Sequence, residues 1–459
     1  LKPAFSKLEI MSDTIVALAT PLGRSGIGVI RLSGENSLAI VRNLIRNENF
    51  APRPRFAHLK KIYDLETGEA TDDALITYFK SPQSFTGEDV IEISCHGSPV
   101  ILRQVIDFCL KSNARMADAG EFSLRALANG RMNLSQAEAI RDLIDAQTIA
   151  SARQAVRQLR GEFSNQLQPI KDDLLNVIIV LESALEFVED DLPDFQNENI
   201  KIKLFEIAAN IDRIASTFRA GKLIREGLKV ALVGKPNVGK SSLFNALLGQ
   251  DRAIVTEIAG TTRDQIHEKF SISNIPISLI DTAGLRETSD TVEIIGVERA
   301  KHTMADADLV IVILDGSQNL TLEDKEILSQ VNELNHLIAI NKCDLQQGLV
   351  KLNINSNSLK ISAKTGEGLN ELQKAIIEPF SPQIIDNSGF LISDARHYDL
   401  LKRAKSEIES SINLLIERMS EEIILIGLHN SLRYLGQITG ETSTEDMLTR
   451  IFSTFCIGK

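Results

Sequence analysis

The spacing of apolar positions changes along the chain, and each change predicts a different kind of element. Between residues 11 and 130 the short stretches Thr14–Ala19, Gly28–Leu32 and Val90–Cys95 read as strands. Turn-rich loops such as Pro21-Leu22-Gly23-Arg24-Ser25-Gly26 separate them. From residue 134 the period becomes helical. Ser135-x-x-Glu138 has the form of a capping box, and Ala137, Ile140, Leu143 and Ile144 fall on one helical face. Helical spacing continues to about residue 220, broken by the acidic, proline-containing stretch Glu189–Asp194. Leu228–Val233 is then a β-type run, and strands alternate with helices to about residue 380. Beyond Pro379 and Pro382 the pattern is helical again, with Ala404, Ile408, Ile412, Leu415 and Met419 forming an apolar stripe at spacings of three and four.

At 459 residues the chain exceeds one core, and about 150 residues per domain predicts roughly three. The final helical region, under 80 residues, is marginal for a stable core of its own, and the helices before residue 220 also need partners. The simplest arrangement packs the two helical regions together with an α/β domain inserted between them. The predicted segments are 11–130, 131–226, 227–380 and 381–459.

A net charge of −12 disfavours charge-driven binding to nucleic acid or anionic membrane, without excluding a local basic face. Cys95, Cys109, Cys343 and Cys456 have no metal-ligand spacing, which argues against a zinc site or disulfide framework and suits a reducing, cytosolic compartment. Apolar runs such as Val177–Leu181 and Leu309–Leu314 fall far short of the ~18 residues that span a bilayer, so no membrane partner is expected. Residues 1–10 precede Met11 and read as an upstream extension. The terminal Cys456-Ile457-Gly458-Lys459 only superficially mimics a prenylation box.

The chemistry is concentrated between residues 228 and 364. Gly234-Lys235-Pro236-Asn237-Val238-Gly239-Lys240-Ser241 follows a strand and precedes the helical Ser242-Leu243-Phe244-Asn245. Such a loop turns backbone N–H groups onto phosphate oxygens, with Lys240 on the β/γ oxygens and the Ser241 hydroxyl available to Mg²⁺. A second strand ends in Asp281-Thr282-Ala283-Gly284, where Asp281 can hold the Mg²⁺ shell and the Gly284 N–H can sense the γ-phosphate. A third ends in Asn341-Lys342-Cys343-Asp344. The Asp344 carboxylate can accept two hydrogen bonds from the edge that guanine has and adenine lacks. Ser362-Ala363-Lys364 suits contact with guanine O6. The set matches Ras-like GTPases and predicts GTP hydrolysis. One departure is Leu285, where Ras-type proteins carry a water-orienting Gln; Glu287, Asp290 and Glu293 are the nearby acidic candidates.

The loop Ala253-Ile254-Val255-Thr256-Glu257-Ile258-Ala259-Gly260-Thr261-Thr262-Arg263-Asp264 resembles the TrmE-Era-Der group of GTPases. Within that group, Thr14-Ile15-Val16-Ala17, Ser84-Phe85-Thr86-Gly87-Glu88-Asp89, Cys95-His96-Gly97, Ala119-Gly120-Glu121-Phe122-Ser123, Gln136-Ala137-Glu138-Ala139-Ile140 and Phe455-Cys456-Ile457-Gly458-Lys459 resemble the MnmE (TrmE) family of tRNA modification GTPases. The resemblance covers the chain from Met11 to Lys459. It implies a multi-domain α+β and α/β protein. An N-terminal α+β domain would bind folate and dimerise, a discontinuous helical domain would follow, and a Ras-like P-loop G domain would be inserted in it. It also implies a homodimer and an FAD-containing partner, MnmG (GidA), in a heterotetramer. The pair would add a carboxymethylaminomethyl-type group to C5 of the wobble uridine of certain tRNAs. The implied one-carbon donor is a tetrahydrofolate derivative, in its 5-formyl or 5,10-methylene form. The alternative is a ribosome-assembly regulatory GTPase of the Era or Der type.

Carried over position by position, the resemblance implies contacts to GTP or GDP from 237–242 (Asn237, Val238, Gly239, Lys240, Ser241, Ser242), from Thr256, Glu257, Ile258, Ala259, Gly260, Thr261 and Thr262, and from Asp281, Thr282, Ala283 and Gly284. Asn341, Lys342, Asp344, Ser362, Ala363 and Lys364 complete that set. Ser241 and Thr262 would hold Mg²⁺. Asn237, Thr256, Ile258 and Thr261 would hold K⁺, and Glu293 would position the attacking water. Arg31, Glu92, Arg131 and Lys459 would bind folate, with Arg131 standing where the family commonly has Lys. Cys456 is either a nucleophile or contact near the one-carbon centre, or a residue docked for structure. Arg153, Arg157 and Arg160, at helical spacing, form either a solvated face or a contact to tRNA phosphates. The absence of Trp disfavours a base-stacking platform.

Overall fold

The computed structural model describes residues 13–186, 194–250, 267–281, 306–345, 358–383, 389–442 and 444–458. They form two compact units. One contains the chain up to Arg141, Gln158–Ala208 and everything from Arg403; the other contains Asp142–Arg157 and Ala209–Lys402.

The first unit opens with a mixed sheet. Its strands are β1 (Thr14–Leu18), β2 (Ser25–Ser33), β3 (Ala57–Tyr63), β4 (Ala70–Phe79), β5 (Val90–Gly97) and β6 (Ala114–Met116), in the order β3-β4-β5-β2-β1-β6. Side chains alternate across a strand. Ile30 and Leu32 of β2 and Ile91 and Ile93 of β5 therefore face helices α1 (Ser37–Leu44) and α2 (Pro99–Lys111), packing on Val41, Leu102 and Val105. Arg31 and Glu92, out of phase with them, occupy the other face and are paired across the ladder. The three strands expected here are present; β3, β4 and β6 are additional.

Helices α3 (Glu121–Ala128) and α4 (Leu134–Ile144) follow. The capping box at the start of α4 is not the expected one. Asn133 Oδ1 accepts from the Gln136 N–H at 2.9 Å, and Gln136 Oε1 accepts from the Asn133 N–H at 3.0 Å. Ser135 and Glu138 are buried inside the helix instead. Asn is as good an N-cap as Ser, so the reciprocal pair forms two positions earlier. The predicted apolar face is buried at Ala137 and Ile140, while Ile144 is exposed.

Next come α5 (Ile149–Leu159), α6 (Glu162–Glu186), α7 (Asp194–Ala215) and α8 (Phe218–Glu226). In the first unit, α6 buries Leu167, Leu174 and Leu181 and packs against a helix from the far end of the chain, α13 (Glu421–Thr439). Lys171 Nζ donates to Glu441 Oε1 at 2.6 Å, just beyond α13. The expectation that helices from both ends of the sequence pack together holds for this pair.

The second unit contains β7 (Leu228–Val233), α9 (Lys240–Gln250), β8 (His267–Ile272), β9 (Ile275–Asp281), β10 (Leu309–Asp315), α10 (Leu322–Val331), β11 (His336–Asn341), β12 (Ser358–Lys360) and α11 (Leu369–Ile377). The sheet order is β12-β11-β10-β7-β9-β8, with only β8 antiparallel. Leu243 and Leu247 of α9 and Leu372 and Ile376 of α11 cover one face, against Val230, Leu232 and Ile311. Val331 of α10 covers the other, against Ala231, Val310 and Val312. This is a doubly wound α/β domain, whose ligands bind beyond the carboxyl ends of its parallel strands. Gly227 makes the entry to β7: its φ is +76°, and a Cβ there would lie 2.1 Å from the Pro276 carbonyl oxygen.

The last helices are α12 (Ala395–Ile416), α13 and α14 (Glu445–Phe452). The predicted stripe is buried at Ala404, Ile408 and Ile412, but Met419 lies beyond the helix and is 42% exposed. Arg418, with φ +55°, ends the helical path without a glycine or proline to mark it.

Candidate functional site

The phosphate-loop sequence leaves β7 and enters α9. Lys240 Nζ donates to the carbonyls of Gly234 at 2.6 Å and Lys235 at 2.9 Å. Asn237 takes a left-handed conformation with φ +65° and is exposed, Val238 is buried, and Ser241 and Ser242 stand exposed in the first turn of α9. Gly239 has φ +99°, and a Cβ there would meet Asn341 Nδ2 at 2.2 Å. Lys235 reaches away from the loop to Asp324 Oδ2 at 2.9 Å, a carboxylate in the capping box that starts α10. Burial raises the Asp324 pKa, but the Thr321 donors and Lys235 outweigh it and hold the group below the usual range.

The Asn341–Asp344 segment closes onto this loop. Asn341 ends β11, donates from Nδ2 to the Val238 carbonyl at 2.8 Å, and accepts at Oδ1 from the Ala363 N–H at 2.9 Å. Lys342, left-handed at φ +66°, donates from Nζ to the Asn237 carbonyl at 2.9 Å and to Asp315 Oδ2 at 2.7 Å. The Ser362 hydroxyl donates to Asp344 Oδ1 at 2.7 Å. Among the described residues, hydrogen bonds to Asp344 end on that oxygen, leaving Oδ2 to accept. Lys364 follows, exposed. Asp281 sits at the end of β9 beside Leu232, just ahead of Gly234. One end of the sheet thus gathers the phosphate loop, Asp281, Asn341–Asp344 and Ser362–Lys364. Of the predicted residues, Thr256–Thr262, Thr282–Gly284 and Glu293, like Glu287 and Asp290, lie outside the described set. Asp315 and Asp324 were missed in the sequence; an Asp closing the wholly apolar strand Leu309–Asp315 was the available signal.

A second constellation lies on the open face of the first unit. Arg31 donates from Nη2 to Glu92 Oε1 at 2.7 Å and from Nη1 to the Gly458 carbonyl at 3.1 Å. Among the described residues, the bonds to Glu92 end on Oε1, so Oε2 remains available. The guanidinium also lies over the rings of Phe85 and Phe122. Arg131 Nε donates to the Ser84 carbonyl at 3.1 Å, on the loop that carries Phe85. That loop is held by Glu88, which accepts from the Ser33 hydroxyl at 2.7 Å and pairs with the buried Arg125. The C-terminal segment reaches this face because Phe452 and Phe455 pack on Leu127 and Leu134, and Ile457 bridges to Ala119. Cys456 is exposed; Lys459 is outside the described residues. Of the arginine row, Arg153 and Arg160 are exposed, whereas Arg157 donates to the Gly389 carbonyl and Arg160 lies past the end of α5.

Among the described residues, no helix is long and apolar enough to cross a membrane.

Residues 14–131 match the family profile of the GTP-binding protein TrmE N-terminus, and residues 134–456 that of the MnmE helical domain. The tRNA modification GTPase MnmE of Aquifex aeolicus is 43% identical over 452 residues, covering 98% of this chain and all of that protein. The protein of the same name from Koribacter versatilis is 43% identical over 453 residues, with the same coverage. Among solved structures, the G domain of the T. maritima FeoB iron transporter is 30% identical, covers 33% of this chain and 97% of its own, and has a TM-score of 0.24.

Proposed function

The chain belongs to the MnmE family of tRNA modification GTPases, and we propose that it couples K⁺-stimulated GTP hydrolysis to folate-dependent modification of the wobble uridine. The observation that carries the reading is the convergence of Lys240, Asn341 and Asp344 through Asn341–Val238 and Lys342–Asn237. These bonds hold the segment carrying Asp344 against the loop carrying Lys240, which supports a base-reading role for the carboxylate and a phosphate-binding role for the amine.

In this reading Asp344 accepts from the guanine edge and Lys240 neutralises the β/γ oxygens, while the loop amides of 237–242 hold the phosphates. Ser241 and Thr262 would hold Mg²⁺, and the exposed Ser241 hydroxyl beside Lys240 suits that place. Asn237, with carbonyls of Thr256 and Ile258 and with Thr261, would hold K⁺; its exposed amide beside the loop is a suitable hard oxygen donor. Such cations neutralise charge developing on the phosphates, worth on the order of 10³–10⁵ in rate when placed as an arginine finger is. Thr282–Gly284 would follow the γ-phosphate, and Glu293 would orient the water that Leu285 cannot.

The N-terminal segment, residues 11–130, would bind the tetrahydrofolate derivative and dimerise. The free Oε2 of Glu92 suits the donor edge of a pterin, and Arg31, Arg131 and Lys459 supply cations for the carboxylates of the tail. The carboxymethylaminomethyl-type group would be built on tRNA with an FAD-containing MnmG partner, a role that fits a chain whose lack of Trp disfavours a base-stacking platform of its own. The flanking segments 131–226 and 381–459 would form the helical domain around the G segment 227–380. No observation favours the ribosome-assembly alternative.

Two measurements test the proposal. GTP turnover is expected to rise sharply when K⁺ replaces Na⁺, and to collapse in Glu293→Ala with GTP affinity nearly intact. Equal rates in the two salts would remove the ion assignment. Wobble uridines of tRNA from cells lacking the protein should lack the C5 group; intact modification would defeat the wider reading.

A further inference from the structure

Asp315 lies outside every nucleotide motif, yet it is the anchor at the end of a chain of contacts that reaches the phosphate loop. It closes β10 opposite Asn341 of β11. Its side chain is 4% exposed. Oδ1 accepts from the Ser317 N–H at 2.9 Å and the Ser317 hydroxyl at 2.6 Å, which fixes the carboxylate against its own turn. Oδ2 accepts from Lys342 Nζ at 2.7 Å, and the same ammonium donates to the Asn237 carbonyl at 2.9 Å. Asn237 and Lys342 both hold left-handed conformations, which asparagine tolerates and lysine adopts rarely. The Lys342 ammonium links the two positions. Its long stem has many rotamers, and a buried carboxylate on the rigid sheet restricts it to the one that meets the loop.

We propose that Asp315 is a positioning residue for guanine nucleotide: through Lys342 it fixes the Asn237 peptide of the phosphate loop and so sets how long the nucleotide stays bound. The proposal rests on GTP binding alone and is independent of the K⁺ and folate assignments. It also separates the two oxygens of one carboxylate, Oδ1 serving the turn and Oδ2 serving the loop.

The test is a double-mutant cycle on the full-length protein, read as the release rate of a fluorescent GDP analogue in stopped flow. Asp315→Asn is expected to speed release about tenfold, the scale of one charge-assisted hydrogen bond. In a Lys342→Gln background the same change should add less than about twofold, because its path to the loop is already cut. Ser317→Ala, which removes the hydroxyl bond to Oδ1 but keeps the N–H one, should release at the unaltered rate. The proposal is overturned if Asp315→Asn releases normally, if the two changes multiply, or if Ser317→Ala reproduces the effect. Should Asp315→Asn fail to fold, Lys342→Gln alone still decides against the proposal by releasing at the unaltered rate.

Discussion

The side-chain amide of Asn341 donates to the main-chain carbonyl of Val238 at 2.8 Å, so the motif that would read the base is tied directly to the loop that would hold the phosphates. The residues are 103 positions apart in sequence. Their contact makes both ends of the nucleotide site depend on the space between them, which Gly239 occupies.

Gly239→Ala should therefore disable the site through geometry alone. The new Cβ would stand 2.2 Å from Asn341 Nδ2, on a residue whose φ of +99° disfavours any side chain. Either the loop or Asn341 must move, and both bind nucleotide in this account. Affinity for a fluorescent GTP analogue is expected to fall about 100-fold or more, equivalent to ~2.7 kcal/mol. Affinity within threefold of the unaltered protein would show that the loop can relax without cost.

The capping pair of α4 makes a contrast between neighbours. Asn133→Ala removes the acceptor of the Gln136 N–H and should destabilise the first unit by about 1 kcal/mol. Ser135→Ala deletes a fully buried hydroxyl that has no hydrogen-bond partner among the described residues, so it should be neutral or stabilising. Urea unfolding followed by circular dichroism measures both. The reverse order would restore Ser135 as the cap.

The nucleotide loops were legible because each is a contiguous string whose chemistry depends on its own backbone, and strand–loop–helix context came with it. Asp315 and Asp324 were not, because their roles arise from partners 27 and 89 residues away. In the first unit, β4 was hidden by Asp72 and Asp73, residue types depleted in strands. The edge strand β3 was hidden because Leu59 is exposed while Ile62 is buried, which blurs the apolar alternation. The C-terminal stripe has the predicted phase at Ala404, Ile408 and Ile412 but stops short of Met419. Spacing marks a face, and the left-handed turn at Arg418 that ends it leaves no trace in hydropathy. The role of the tail Phe455–Lys459 comes from the resemblance, since nothing in its own pattern says that Gly458 docks beside Arg31.

Acid should weaken the second unit through Asp394. Burial raises its pKa, but the charges of His397 and Arg225, with hydrogen bonds from Arg225 and the Arg396 N–H, hold it well below the model-peptide value of 3.8. A carboxylate depressed in the folded state contributes stability that is complete above its unfolded pKa and is lost as pH falls through the folded one. The contribution should accordingly be constant above about pH 5 and decline below about pH 4. Asp394→Asn can keep the acceptor for Arg396 while losing the charge, and Asp142 still pairs with Arg225. A loss of about 2 kcal/mol at neutral pH and a flatter acid limb are expected. Urea midpoints collected across the acid range check this, and an unchanged acid slope would assign the sensitivity elsewhere.

The folate assignment makes its own demand on the C-terminal segment. Gly458 presents its carbonyl to Arg31 with φ +94°, and a Cβ there would lie 2.4 Å from the Leu18 carbonyl oxygen. Gly458→Ala must shift the segment off β1 and release Arg31 from the 3.1 Å contact that aims it beside Glu92. If those two side chains bind the pterin and its tail, affinity for 5-formyltetrahydrofolate should drop about tenfold, or ~1.4 kcal/mol. GTP affinity, set by residues of the other unit, should stay within twofold. Calorimetric titration with each ligand separates the outcomes. A variant that binds folate normally would place the pterin away from Arg31, while loss of both ligands would mean that the substitution had unfolded the chain rather than moved one contact.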